Sequence, residues 1–263
     1  MAAPSATTRP AAALAGTLAA LAAVLLAWHL LTAVFGVISA ARFPTPAEVA
    51  GALQQIVGEG YSNARLWEHI ARSVGLVTMG FAVASAVGVV LGLAMGASRT
   101  VEAVANPVFL LLRPIPPLAW IPLAIVWLGL GDAAKIMVIF FAAFVPSVIN
   151  SFAGVRQIDK PIFEAAAMLG VRGPRLWREV LVPGALPHIF TGLRLSLQAS
   201  WTTLVAAELV GAVAGLGQIL NQAAQDIYPG MILLGMICVA LCGWAMTLGL
   251  AWLEARVMPW KPR

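Results

Sequence analysis

The sequence predicts an all-α polytopic membrane protein, with six transmembrane helices and a helical cytoplasmic loop between the fourth and fifth. Three observations carry that prediction. Of 263 residues, 61% are hydrophobic and only 10% charged, whereas a soluble domain carries about a quarter charged residues. Six stretches free or nearly free of charge each reach the roughly 20 residues needed to cross a hydrocarbon core. One connection between two of them is far longer than a turn and holds half of the cytoplasmic positive charge. So little charge cannot cover a water-facing surface, and lipid is the expected solvent.

The first stretch, Ala11 to Ile38, contains no Asp, Glu, Lys or Arg. A signal peptide cleaved near Ser39-Ala40-Ala41 is the alternative. A signal core spans about 7–15 residues behind a basic start; this run is much longer and only Arg9 precedes it. A retained helix is expected, behind a cytoplasmic tail over about residues 1–10. After it comes Phe43-Pro44-Thr45-Pro46-Ala47-Glu48-Val49. Thr45 can cap a helix, Pro46 suits its first position and Glu48 completes a capping box. Val49, Leu53 and Ile56 would share the apolar face of this short helix, and Gly58 would end it. It reads as a helix on the outer membrane surface or as a packing element.

Ser73 to Ser98 forms the second span. In it Gly80, Ala84, Gly88, Gly92 and Gly96 recur every fourth residue, a small face that lets another backbone approach closely in lipid. The third span lies between Glu102 and Asp132, with Arg113 as its single charge and Pro107, Pro114, Pro116, Pro117 and Pro122 within it. Proline removes a donor and clashes with the preceding turn. A segment broken in this way is stable in a membrane only when covered by protein or lining a cavity. A translocation path and a kinked structural helix both fit. Ile136 to Val155 is the fourth span, the stretch between Arg194 and Asp226 the fifth, with Glu208 as its one charge, and Ile227 to Leu253 the sixth.

Orientation follows from Lys and Arg in the connections. With both termini inside, Arg9, Arg99, Arg156, Lys160, Arg172, Arg175, Arg178, Arg256, Lys261 and Arg263 are cytoplasmic. The outside then holds chiefly Arg42, Arg65 and Lys135. This bias also accounts for the net charge of +5; no basic stripe with interleaved aromatics points to nucleic acid. His29, His69 and His188 are scattered, and Cys238 and Cys242 read as packing residues on one helical face, so no metal site is expected.

The loop over about residues 153–190 is the most informative segment. Asp159 and Pro161 mark a helix start and Gly170 a stop. Ile162, Ala165, Ala166 and Leu169 fall at i, i+3, i+4 and i+7, while Glu164 projects from another face. A second short helix can start at Pro174 and is expected to end before Pro183. Both a docking surface and an amphipathic hairpin resting on the bilayer explain this pattern.

The run Glu164-Ala165-Ala166-x-x-x-Gly170, followed after nine residues by Val180-x-Val182-Pro183, resembles the EAA loop of ATP-binding-cassette importer permeases. Val180 and Val182 stand where Ile and Leu are more usual. Leu112-Arg113-Pro114-Ile115-Pro116-Pro117-Leu118-Ala119-Trp120-Ile121-Pro122 is similar to the third-span signature of the sulfonate, taurine and nitrate uptake permeases. Gly129 to Ile136, Leu204 to Leu209 and the Pro44-Thr45-Pro46 segment resemble the same group, and the likeness covers roughly residues 20–255. Gly211-Ala212-Val213-Ala214-Gly215-Leu216-Gly217 lacks the Asn-Ser often seen there in sulfonate members. Permeases of this group also serve vitamin precursors and aromatic acids.

The resemblance implies a type I importer permease fold in a single domain over residues 1–263, and a homodimer with the pathway at the interface. Two cytoplasmic ATP-binding subunits would carry ATP and Mg and receive the loop, and a periplasmic binding protein would deliver the solute. Glu164, Ala165, Ala166, Gly170 and Pro183 would form the coupling element. The sequence itself holds no Gly-x-x-x-x-Gly-Lys-Ser/Thr loop, no His-Glu-x-x-His and no Gly-x-Ser-x-Gly, so catalysis is expected from a partner. A secondary transporter or channel would explain the spans but not the loop.

A charge inside a span is a functional candidate by default. Arg113, with Pro114, Pro116 and Pro117, is a candidate for the translocation path, as are Trp201 and Glu208. On straight helices Arg113 lies about 10 Å from its cytoplasmic start and Glu208 about 25 Å along its span, too far apart in height to pair. Hydrogen bonds from Trp201, Thr202 or Gln218 to Glu208 are expected.

Overall fold

The computed structural model describes residues 9–36, 39 and 43–260, with side chains from residue 15 onward. Among these it is helical almost throughout, without a β-strand. Residues 1–8 of the expected tail, Ala40 and Ala41 of the considered cleavage site, and Arg42, Lys261 and Arg263 of the charge tally lie outside the described residues.

Among the described residues, five continuous helices are long and apolar enough to cross a membrane: Ala15–Val34, Leu66–Ala97, Asp132–Arg156, Pro174–Gly211 and Pro229–Val257. The proline-rich stretch is different. It forms two helices, α4 (Arg99–Leu112) and α5 (Ile121–Leu128), the latter entered through a 3₁₀ turn at Pro117–Trp120. The two meet at 84°. Six spans are reached only if this bent pair is one of them, so a depth for Arg113 along a straight helix does not apply.

The interior is built on α3 (Leu66–Ala97), α6 (Asp132–Arg156) and α9 (Val182–Gly211), with α6 in the middle. The small-residue face of α3 lies directly on α6. A Cβ added at Gly88 would come within 2.7 Å of Ser147 Cβ, and one at Gly92 within 2.5 Å of the Val148 carbonyl. The ladder is therefore consumed inside the chain. On the other side of α6, a Cβ at Gly192 of α9 would meet Asn150 Cβ at 2.7 Å. At this close approach Ser196 Oγ donates to the Ala143 carbonyl (2.6 Å), which leaves Ser147 to donate to Ser196 (2.8 Å). Side-chain hydrogen bonds of this kind tie helices together where lipid offers no hydrophobic driving force.

Two amphipathic helices cover one end of this core. In α2 (Pro46–Gly58) the expected capping box is present: Glu48 N–H donates to Thr45 Oγ1 (3.3 Å) and Thr45 N–H to Glu48 Oε2 (2.7 Å). The helix is a packing element on α11 (Pro229–Val257). Val49, Ala52 and Ile56 are buried, whereas Leu53 of the expected apolar face is exposed. The α11 backbone at Gly230 comes so close to Glu48 that the contact takes the small Ala52 instead. Beside it, α10 (Leu216–Gln225) buries Leu216, Ile219 and Ala223. Tyr61, before α3, donates to Asp226 Oδ2 at the end of α10 (2.5 Å). Burial, reinforced by that carboxylate, pushes the phenol well above its ordinary pKa. The first helix, α1 (Arg9–His29, extended by a π turn to Val34), stands apart from the core. Its anchor is Trp28, whose indole donates to the Pro44 carbonyl (2.9 Å).

Candidate coupling loop and translocation path

At the end of the bundle opposite α10 stands α7 (Lys160–Met168). It stops at the predicted glycine. Gly170 has φ +71°, its N–H donates to the Ala167 carbonyl (3.1 Å), and Val171 N–H donates to the Ala166 carbonyl (2.9 Å). This is a Schellman motif, and the left-handed position favours Gly. Ala166 and Val171 are both buried behind it. Phe163, Leu176 and Trp177 pack on Leu93, Val155, Leu181 and Ala185, anchoring the loop to α3, α6 and α9.

What α7 leaves outside is apolar. Ile162, Ala165, Met168 and Leu169 are exposed, Met168 to 89% and Leu169 to 79%, next to an exposed Glu164. Of the expected face, only Ala166 turns inward. The second expected short helix does not stop before Pro183. Three residues, α8 (Pro174–Leu176), continue through a π turn at Trp177–Leu181 into α9. The wider turn takes up the carbonyl that proline cannot bond and relieves the clash of its ring.

The candidate path residues occupy three separate settings. Arg113, Pro114 and Pro116 are exposed at the α4–α5 bend and Pro117 is half-buried beside it. Trp201 is buried on α9 toward α11, and its indole Nε1 has no hydrogen-bond partner. Glu208 is fully buried near the far end of α9. Its partners are not Trp201, Thr202 or Gln218. Ser73 Oγ donates to Oε1 (2.7 Å) and Gly217 N–H to Oε2 (2.7 Å). Thr202 instead donates back to the Gln198 carbonyl (3.1 Å).

The Glu208 cluster caps α10 from outside. Leu216 N–H donates to Ser73 Oγ (2.9 Å), and Gly215 N–H to His69 Nδ1 (2.9 Å). That acceptor role puts the imidazole proton on Nε2, which donates to the Tyr61 carbonyl (2.9 Å). Three N–H groups at the start of α10 are thus satisfied by side chains of α3 and α9, as a helix N-terminus requires. Gly215, at φ +149°, has no space for a side chain, since a Cβ would collide with the Glu208 carboxylate.

The family model for the inner membrane component of binding-protein-dependent transport systems matches residues 65–260, from the start of α3 to beyond α11. The chain belongs to this family. The taurine transport system permease protein of Escherichia coli is 38% identical over 239 residues, 90% of this chain and 87% of that one. An aliphatic sulfonates transport permease protein of Bacillus subtilis is 33% identical, over 86% and 80% of the two chains. A bicarbonate transport system permease protein of Synechococcus elongatus is 36% identical, over 76% and 72%. Among solved structures, a chain of an inward-facing MetNI methionine ABC transporter superposes with a TM-score of 0.50 and 26% identity. It covers 70% of this chain and 94% of that one.

This permease is therefore a membrane-embedded transport subunit of an ABC importer, working with ATP-binding subunits and a substrate-binding protein. Sequence reasoning missed several of its buried polar groups. Ser73 and His69 give no local signal, because their partners lie 143 and 146 positions away. Arg194 served as a span boundary, yet it pairs with Glu254 of α11 within the bundle. At the surface, Glu102 and Arg156 pair between α4 and α6.

Proposed function

We propose that this permease passes a small solute carrying an oxoacid group from periplasm to cytoplasm, with ATP hydrolysed on two partner subunits that dock on α7. The observation that carries the coupling reading is the apolar face of α7. Ile162, Met168 and Leu169 stand out from a helix whose other side is anchored to three core helices. A partner groove would cover them, with Glu164 and Ala165 at the contact, Ala166 seating the helix on its own bundle, Gly170 fixing the end of the helix and Pro183 the entry into α9. The taurine, sulfonate and bicarbonate named for the relatives all carry an ionised oxoacid group, which supports that solute class.

A homodimer is the assembly we infer. Val104, Leu111 and Val126 are exposed around the α4–α5 bend. A broken helix in hydrocarbon needs protein or water beside it, and a second copy supplies both by enclosing a path. In a bacterial inner membrane, the charge bias supports a cytoplasmic position for both termini and α7, with α2 and α10 toward the binding protein.

The test is affinity purification from native membranes of the wild type and Glu164→Arg, with mass spectrometry of the copurifying proteins. A Walker-motif ATPase recovered with the wild type and lost with the variant is the expected result. Absence of an ATPase from well-folded wild-type extracts would refute the coupling reading.

A further inference from the structure

The outer face of α9 carries polar side chains where a lone membrane helix would be apolar. Thr191, Arg194, Gln198 and Thr202 recur three or four residues apart, all exposed, so they form one stripe. Gln198 sits near the middle of this 30-residue helix. An amide exposed to hydrocarbon at that depth is costly without a partner, so the stripe calls for a polar neighbour.

The stripe opens on a groove between α9 and α11 of about 480 Å³, a size that suits a small molecule. Arg194, Gln198, Trp201 and Thr202 line one wall, Gly243 and Thr247 the other. Arg194 is paired with Glu254, but the two are unequally placed. The guanidinium side chain is 45% exposed and the carboxylate side chain 8%, so the groove is presented with the cation. Trp201 is only 6% exposed. Its unpartnered Nε1 faces Gly243, where a Cβ would lie 3.9 Å away. The Thr202 and Thr247 hydroxyls donate to carbonyls of their own helices (3.1 and 2.8 Å). Trp201 Nε1 is sealed from the groove, so the donors left for a ligand are the guanidinium and the Gln198 amide, groups that match the oxygens of an anion.

We infer that this α9–α11 groove is the stretch of the translocation path that contacts the oxoacid group of the solute, with Arg194 and Gln198 as its specificity-determining donors. The inference rests on the importer reading above and adds to it the residues that select charge.

The experiment labels the assembled complex in membrane vesicles, in a Cys238→Ala, Cys242→Ala background. Gln198→Cys and Thr202→Cys are reacted separately with 2-sulfonatoethyl methanethiosulfonate and its trimethylammonium counterpart, each rate normalised to that of a free thiol. Both introduced thiols react, and the anionic reagent is favoured by roughly tenfold, the low end of electrostatic focusing in a charged cleft. In the paired variant Arg194→Gln with Glu254→Gln, which removes both charges of the pair together, the preference disappears while reactivity remains. Thiols silent in vesicles but labelled after denaturing detergent would overturn the inference, as would equal rates or a cationic preference. If an ATPase copurifies and the groove is silent, only this inference fails. If no ATPase copurifies, the coupling reading fails, whatever the labelling shows.

Discussion

The α3–α6–α9 interior and the α4–α5 corner have similar apolar compositions and opposite physical states. In the interior, glycine and serine let backbones touch, and the hydroxyls at Ser147 and Ser196 bond across the gap. At the corner, prolines bend the chain by 84° and leave apolar side chains outside. The first region is complete within one chain, whereas the second is stable in a membrane only with something beside it. A glycine ladder is therefore no mark of an intermolecular face, and a broken, uncovered span points more directly to assembly.

Breaking the interior should have the largest effect. Gly92→Leu drives a side chain into the Val148 backbone and should cost about 3 kcal/mol by overpacking, seen as aggregation on size-exclusion chromatography in detergent. A monodisperse variant with an unchanged melting curve would show that α3 and α6 are not locked. Glu208→Gln should come next. An amide cannot accept from both Ser73 and Gly217, so one buried donor or acceptor is stranded at about 1–2 kcal/mol. Amide exchange over residues 215–219 should accelerate about tenfold, while exchange in α6 stays slow. Thr45→Ala removes one half of the α2 capping box and should cost about 1 kcal/mol, confined to α2 and its contact with α11 and readable as local exchange.

The smallest effect on stability belongs to the exposed surface. Leu169→Asp should move the melting temperature of the isolated permease little, because an exposed substitution usually costs within about 0.5 kcal/mol. The same substitution should abolish recovery of the ATP-binding subunit. Loss of folding instead would mean that α7 is packed against its own bundle.

Local chemistry made much of this legible. Charge-poor runs located the membrane helices, although the fifth, expected between Arg194 and Asp226, starts at Pro174 and ends at Gly211; the Thr45-to-Glu48 spacing marked the start of α2, and Gly170 marked the end of α7. What was not legible depends on distant partners. The Ser73 hydroxyl that bonds Glu208 is 135 positions away, and no periodicity in either helix announces it. The proline-rich span was readable as broken, but the angle of the break is set by packing such as the Trp120–Phe141 stack, with ring centroids 4.0 Å apart. Pro183 misled because proline is ordinarily a stop. The π turn before it, which no residue in Trp177–Leu181 advertises, lets the helix pass through.

The central claim is that α7 docks on an ATP-binding subunit and does not rest on the bilayer. The direct measurement uses native membrane vesicles containing Ile162→Cys or Leu169→Cys permease, treated with a short bifunctional thiol–amine crosslinker and, separately, with a lipid-phase photoprobe. The account predicts a crosslinked product containing a Walker-motif ATPase at both positions and no labelling of α7 by the photoprobe. Photoprobe labelling of α7 with no crosslinked ATPase would identify an amphipathic hairpin on the membrane surface and contradict the account.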